Sequence, residues 1–173
     1  RHVEFVIREL GDFTATIGKV QPGSTAFLEG PYGAFTPDFT SSHGLVLIAG
    51  GVGIAPMMSI LRSLKDRHDG RPILLIYGSQ NLEETAFVSE LSTLRSELNL
   101  RVVFVVDEAA PGFDCEIGRI SEDFLNSRLL PLSLNDWDYF ICGPPGMMNM
   151  AETFLNRRGV QTSQIHTERF DIA

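Results

Sequence analysis

The apolar residues of this chain fall into two rhythms. Over residues 2–8, Val3, Phe5 and Ile7 alternate with more polar neighbours, a pattern that predicts a strand. Gly11-Asp12-Phe13-Thr14 predicts a turn leading into a short segment at 15–20, and Pro22-Gly23 predicts a second turn. Residues 24–29 predict another strand, stopped by Gly30-Pro31-Tyr32-Gly33. From Gly44 onward the rhythm becomes strand then helix. The pattern predicts strands at 45–49, 72–79, 100–106, 139–142 and 165–170, and helices at 55–69, 83–98, 121–126 and 146–158. Such alternation predicts an α/β domain, with a doubly wound parallel sheet covered on both faces. The first forty residues have too little mass to close a core alone. They predict the remnant of an upstream domain, so the expected division is 1–40 and 41–173.

Bulk properties narrow the function classes. The net charge of −8, with no basic cluster, argues against a nucleic-acid surface. No apolar run approaches the ~20 residues that span a bilayer, and the chain opens with no secretory or transit pattern. Two cysteines, Cys115 and Cys142, are too few for a disulfide framework and fit a reducing compartment. His2, His43, His68 and His166 lack metal-ligand spacing, so no metal is expected.

Candidate chemistry sits in the glycine turns. The run from Leu45 to Pro56 takes an apolar strand into Gly50, Gly51 and Gly53 and then into a helix with Pro56 in its first turn. Glycine lets backbone amides approach phosphate oxygens, and a helix N-terminus adds favourable dipole charge. Taken alone, this turn serves equally well as a connection without a ligand, because its spacing is not Gly-x-Gly-x-x-Gly. Cys142-Gly143-Pro144-Pro145-Gly146 forms a second, stiffer turn about ninety residues later, followed by Met147 and Met148. Two such turns at the carboxyl ends of parallel strands make a shelf for a nucleotide. Gly30–Gly33 reads either as a linker or as a loop placing Tyr32 against a flat ring. Glu168-Arg169-Phe170 reads either as a surface edge or as part of the site.

In this order, Gly11–Thr14, Gly30–Gly33, Gly50–Pro56, Cys142–Met148 and Glu168–Phe170 resemble the ferredoxin–NADP⁺ reductase superfamily. The likeness is nearest to its ferric reductase and NADPH oxidase branch. The resemblance implies that Gly11 and Thr14 meet the FAD diphosphate and that Gly30 and Tyr32 lie close to the flavin. It assigns Gly50, Gly51, Gly53 and Pro56 to the pyridine-nucleotide diphosphate. Cys142, Gly143 and Pro144 would border the nicotinamide, with Glu168 near both rings and Phe170 covering the isoalloxazine. The implied cofactors are NAD(P)H and FAD, and the residues 1–40 become the end of an antiparallel flavin-binding β-barrel. The implied parent carries a transmembrane haem domain, lies at the cytoplasmic face of a membrane, and passes electrons to ferric iron or dioxygen. The stretch in hand would be soluble and cytoplasmic.

Two departures qualify the likeness. The family's Arg-x-Tyr/Phe-Ser/Thr flavin motif is expected upstream of Arg8, so these residues alone are expected to bind FAD weakly or not at all and to be inactive alone. Ser79 and Gln80 stand where NADPH-preferring members place Ser-Arg, and Gln80 cannot supply a charged fork to a 2′-phosphate. That favours NADH or dual use. Two other functions fit the same residues: a soluble reductase component feeding an oxygenase or electron carrier, and a non-catalytic nucleotide-sensing module.

Overall fold

The computed structural model describes residues 3–7, 9, 11–30, 33–108, 112–129 and 132–170. The chain divides into two units, with the boundary between Ala34 and Phe35.

The described residues of the first unit contain no strand, and their one regular element is a 3₁₀ helix at Thr14–Lys19. The strands expected at 2–8 and 24–29 are therefore corrected. Alternation is present, but a strand also needs a ladder partner and an apolar face to bury. Here Val3 is 64% exposed and Phe27 is 97% exposed. At residues 15–20 local bonds win instead: the Ala15 amide donates to the Gly11 carbonyl at 2.9 Å and the Thr16 hydroxyl to the Phe13 carbonyl at 2.8 Å.

The second unit is built on six parallel strands: β1 (Gly44–Gly50), β2 (Ile73–Ser79), β3 (Leu100–Val106), β4 (Glu116–Ile117), β5 (Trp137–Cys142) and β6 (Ile165–Glu168). Their order across the sheet is β4-β3-β2-β1-β5-β6. Four helices join them: α1 (Ile54–Asp66), α2 (Val88–Glu97), α3 (Glu122–Leu129) and α4 (Pro145–Arg157). Every residue of β1 and of β5 is buried, as central strands covered on both faces require.

Side-chain alternation along each strand sorts the core into two layers. Leu45, Leu47, Leu75 and Phe140 face Met57 and Leu61 of α1 and Leu91 and Leu94 of α2. Val46, Ile48, Ile76, Tyr139 and Ile141 face Leu125 of α3 and Met148, Ala151 and Leu155 of α4. Two helices therefore cover each face, which makes the sheet doubly wound. The winding direction reverses between β1 and β5, since β2 and β3 lie to one side of β1 and β5 and β6 to the other. A crevice opens beyond the carboxyl ends of the two strands at such a switch point.

In the second unit the expected elements stand within about three residues of their expected bounds, with two larger differences. The helix expected over 83–98 begins only at Val88. Phe87 takes a left-handed backbone at φ 63°, and side chains hold the preceding loop: the Thr85 hydroxyl donates to the Asn81 carbonyl at 2.8 Å, and the Glu84 amide donates to Asn81 Oδ1 at 2.9 Å. Such local bonds compete with helix. The second difference is β4, the two exposed residues Glu116 and Ile117 beside Val105 and Val106, too short to show an alternating pattern.

Candidate functional site

The two glycine turns meet at the switch point. Gly50 ends β1, and residues 51–53 form one 3₁₀ turn before α1 begins at Ile54. At Gly50, Gly53 and Gly143 close packing leaves room for glycine alone. A Cβ on Gly53 would overlap the carbonyl of Cys142 and stand 2.9 Å from the Gly143 nitrogen. A Cβ on Gly50 would stand 2.7 Å from Pro144 Cδ and 2.9 Å from the Met147 sulfur. One on Gly143 would lie 2.9 Å from the Gly50 nitrogen. The turns after β1 and β5 are thus interlocked through backbone.

Gly51 differs from its neighbours. It is exposed, its φ is +53°, and nothing lies within 4 Å of where a Cβ would stand. Glycine is used here for its left-handed backbone, and the space beside it is open. No side chain caps the start of α1 or of α4. The Ile54 amide is already bonded to the Gly51 and Val52 carbonyls, so on this side the amides without a helical partner are those of the glycine turn that runs into α1, and there an anion can be received. Pro56 falls within that first turn of α1, where a missing N–H costs nothing. The residues fit a diphosphate: a backbone approach free of side chains, beside an uncapped helix start.

The other edge of the crevice carries Cys142, Glu168 and Phe170. Cys142 is fully buried and pairs in register with Glu168 across β5 and β6. Burial pushes the Cys142 thiol up to about 12, and the neighbouring Glu168 carboxylate adds to the shift. The cysteine is therefore a neutral thiol at ordinary pH and lacks the lowered pKa of a reactive nucleophile. Phe170 follows two residues beyond Glu168 and is 49% exposed.

At the carboxyl end of β2, Ser79 and Gln80 have different roles. The Ser79 hydroxyl shares a 2.6 Å hydrogen bond with Thr85, so it braces the loop that follows. Gln80 is exposed, and its carbonyl accepts the Asp107 amide at 3.0 Å. The Asp107 carboxylate takes a 3.2 Å ion pair from Arg119.

Among the residues expected to meet flavin, Gly11 and Thr14 form a closed exchange. The Gly11 amide donates to Thr14 Oγ1 at 3.0 Å, and the Thr14 hydroxyl donates back to the Gly11 carbonyl at 3.1 Å. Gly30 has a φ of +141°. Tyr32 lies outside the described residues. These positions belong to the first unit, whereas Gly50, Gly51, Gly53, Pro56, Cys142, Gly143, Pro144, Glu168 and Phe170 gather within the second.

A polar cavity of about 470 Å³ lies at the opposite, amino end of β1, β5 and β6, lined by His43, Asp136, Asp138, Gln164 and His166 among others. It contains none of the expected site residues. Sequence reasoning missed the part played by Met147 in closing the two turns and the loop bracing by Asn81 and Thr85. It also missed Arg169, which donates to Asn149 at 3.0 Å and to Glu152 at 2.8 Å on α4.

Comparison with known proteins agrees with this geometry. The family described as oxidoreductase NAD-binding domain matches residues 47–153. The reductase component of propane 2-monooxygenase from Mycolicibacterium goodii is 28% identical over 97% of this chain and 50% of its own length. NADH-cytochrome b5 reductase 2 from Debaryomyces hansenii is 30% identical over 84% of this chain and 50% of its own. Among solved structures, a ferredoxin NADP⁺ reductase from Neisseria gonorrhoeae with bound FAD and NADP aligns at a TM-score of 0.78 and 27% identity. It covers 94% of this chain and 71% of that one. The chain spans about half the length of the curated relatives just named.

Proposed function

The chain belongs to the oxidoreductase NAD-binding domain family, within the ferredoxin–NADP⁺ reductase superfamily, and from that premise we propose that it is the pyridine-nucleotide module of a flavin-dependent NAD(P)H oxidoreductase. The observation that carries this reading is the open space beside Gly51, where a left-handed backbone begins the uncapped turn that runs into α1 at the switch point. Bound NAD(P)H would supply a hydride and bound FAD would be its acceptor. The residues of this chain bind and orient. Gly50, Gly51 and Gly53 would offer the diphosphate their backbone, and Pro56, which has no N–H to give, sets the first turn of the helix whose dipole faces it. Gly143 and Pro144 border the nicotinamide end, and Cys142 lends shape there without charge. Glu168 supplies the carboxylate on that edge, and Phe170 is the aromatic that covers the flavin. Gly11, Thr14, Gly30 and Tyr32 serve the flavin side.

Gln80 places no charge at the end of β2, which favours NADH over NADPH. The name of the Debaryomyces relative points the same way. For the acceptor, the alignment with a monooxygenase reductase component over 97% of the chain supports delivery to an oxygenase or a carrier protein. The ferric reductase reading rests on the Glu168-Arg169-Phe170 ending and requires a haem-bearing membrane domain elsewhere in the parent protein.

The test is anaerobic stopped-flow mixing of the full-length, FAD-loaded protein with NADH or NADPH. Rapid bleaching of the oxidised-flavin absorbance, faster with NADH, is expected. Nucleotide binding with no bleaching would replace this proposal with a sensing module.

A further inference from the structure

The end of β6 is tied to the helix that begins at the second glycine turn. Arg169, the first residue beyond the strand, donates from one guanidinium nitrogen to Asn149 Oδ1 at 3.0 Å and to Glu152 Oε1 at 2.8 Å. Asn149 and Glu152 are three residues apart, so they share one face of α4. The opposite partner in the arrangement is Glu168, in register with Cys142 at the carboxyl end of β5. Successive strand side chains point to opposite faces of a sheet. Cys142 belongs to the core layer covered by α1 and α2, whereas Met148 and Ala151 of α4 belong to the other layer. Arg169 therefore grips one face of the sheet while Glu168 is presented on the other. The helix it grips starts at Pro145, directly after Cys142, Gly143 and Pro144.

We infer that Arg169 is a positioning residue for hydride transfer: its bonds to Asn149 and Glu152 hold the end of β6 so that Glu168 stays at the crevice edge beside Cys142. The inference rests on the reductase reading above. The grip is remote from Gly50, Gly51 and Gly53 in sequence and belongs to the other side of the switch point. Its partners lie on α4 beyond Met147, the residue packed against Gly50, so the grip acts on the nicotinamide edge. Arg169 and Glu152 are 37% and 27% exposed at their side chains, so the pair acts as a partly screened tie.

The experiment uses the full-length FAD-loaded protein and four variants: Arg169→Gln, Arg169→Lys, Glu152→Arg, and the reversed pair Arg169→Glu with Glu152→Arg. With Arg169→Gln, the rate of flavin reduction at saturating NADH is expected to fall about fivefold, the scale of one partly exposed ion pair. NADH affinity and Tm are expected to stay within error. Arg169→Lys and the reversed pair are expected to recover most of the rate, and Glu152→Arg alone is not. Amide exchange at 165–170 is expected to quicken in Arg169→Gln. An unchanged reduction rate in Arg169→Gln overturns the inference while leaving the reductase reading intact. So does a rate loss accompanied by equal losses of affinity and Tm, or a reversed pair no better than Glu152→Arg. A wild-type protein whose flavin neither nucleotide reduces overturns the reductase reading and the inference with it.

Discussion

Gly53 packs directly on the carbonyl of Cys142, with no room between them for a side chain. That contact locks the turn after β1 to the turn after β5, two segments about ninety residues apart in sequence. Gly51, two residues earlier, meets nothing, so the glycines of the first turn have separable roles.

Gly53→Ala is expected to cost about 1–3 kcal/mol of stability, because the added methyl must push backbone apart. Gly51→Ala meets no atom and is expected to cost about 1 kcal/mol, for its left-handed backbone alone. Yet Gly51→Ala places a methyl where the diphosphate would lie. Thermal melts and NADH titrations of both variants check the split: Gly53→Ala lowers Tm more, and Gly51→Ala weakens nucleotide binding more relative to its loss of Tm.

The state of Cys142 is testable by labelling and by pH. A buried thiol pushed up to about 12 is neutral at pH 8, whereas Cys115 is only partly buried. Iodoacetamide at pH 8 is expected to modify Cys115 well before Cys142, read by mass spectrometry. The raised thiol pKa also gives a sign for stability. Its contribution is complete below pH 9 and is lost as pH rises from 9 toward 12. Cys142→Ser is expected to flatten that alkaline slope. Glu168→Gln is expected to reduce it only in part, since burial is the larger cause.

Gln80→Arg is expected to move preference toward NADPH by about 1–3 kcal/mol, the scale of a charged hydrogen bond. The ratio of kcat/KM values for the two nucleotides in the full-length protein measures it. An unchanged ratio would mean that the end of β2 does not face the 2′ position.

Phe170→Ala in the full-length protein is expected to raise nicotinamide occupancy and change the NADPH/NADH ratio by up to about tenfold, the scale of one aromatic contact. Steady-state constants identical to wild type would remove Phe170 from the flavin face.

Most of the second unit was legible because its signals are local and redundant. Leu45 to Ala49 is an unbroken apolar run, and in the fold it is a fully buried central strand. Glycine and proline punctuation marked Gly50 and Pro144. What the pattern missed depends on contacts between segments distant in sequence. Nothing local distinguishes Gly53 from Gly51, although one is jammed against Cys142 and the other opens on space. Residues 83–87 have helix-forming composition but are captured by Asn81 and Thr85. Val3, Phe5 and Ile7 alternate as a strand would, but a strand exists only with a pairing partner. The Arg169 tie was hidden because its partners, Asn149 and Glu152, are seventeen or more residues away.

The most direct test of the nucleotide shelf is calorimetric titration of this chain with NADH, run in parallel on wild type and Gly51→Val, with NADPH as a second ligand. Saturable one-to-one binding of NADH by wild type, tighter than NADPH and abolished in a folded Gly51→Val variant, is the predicted result. No binding of either nucleotide to the folded wild type, or equal binding by Gly51→Val, would contradict the assignment of the Gly50–Pro56 turn to the diphosphate.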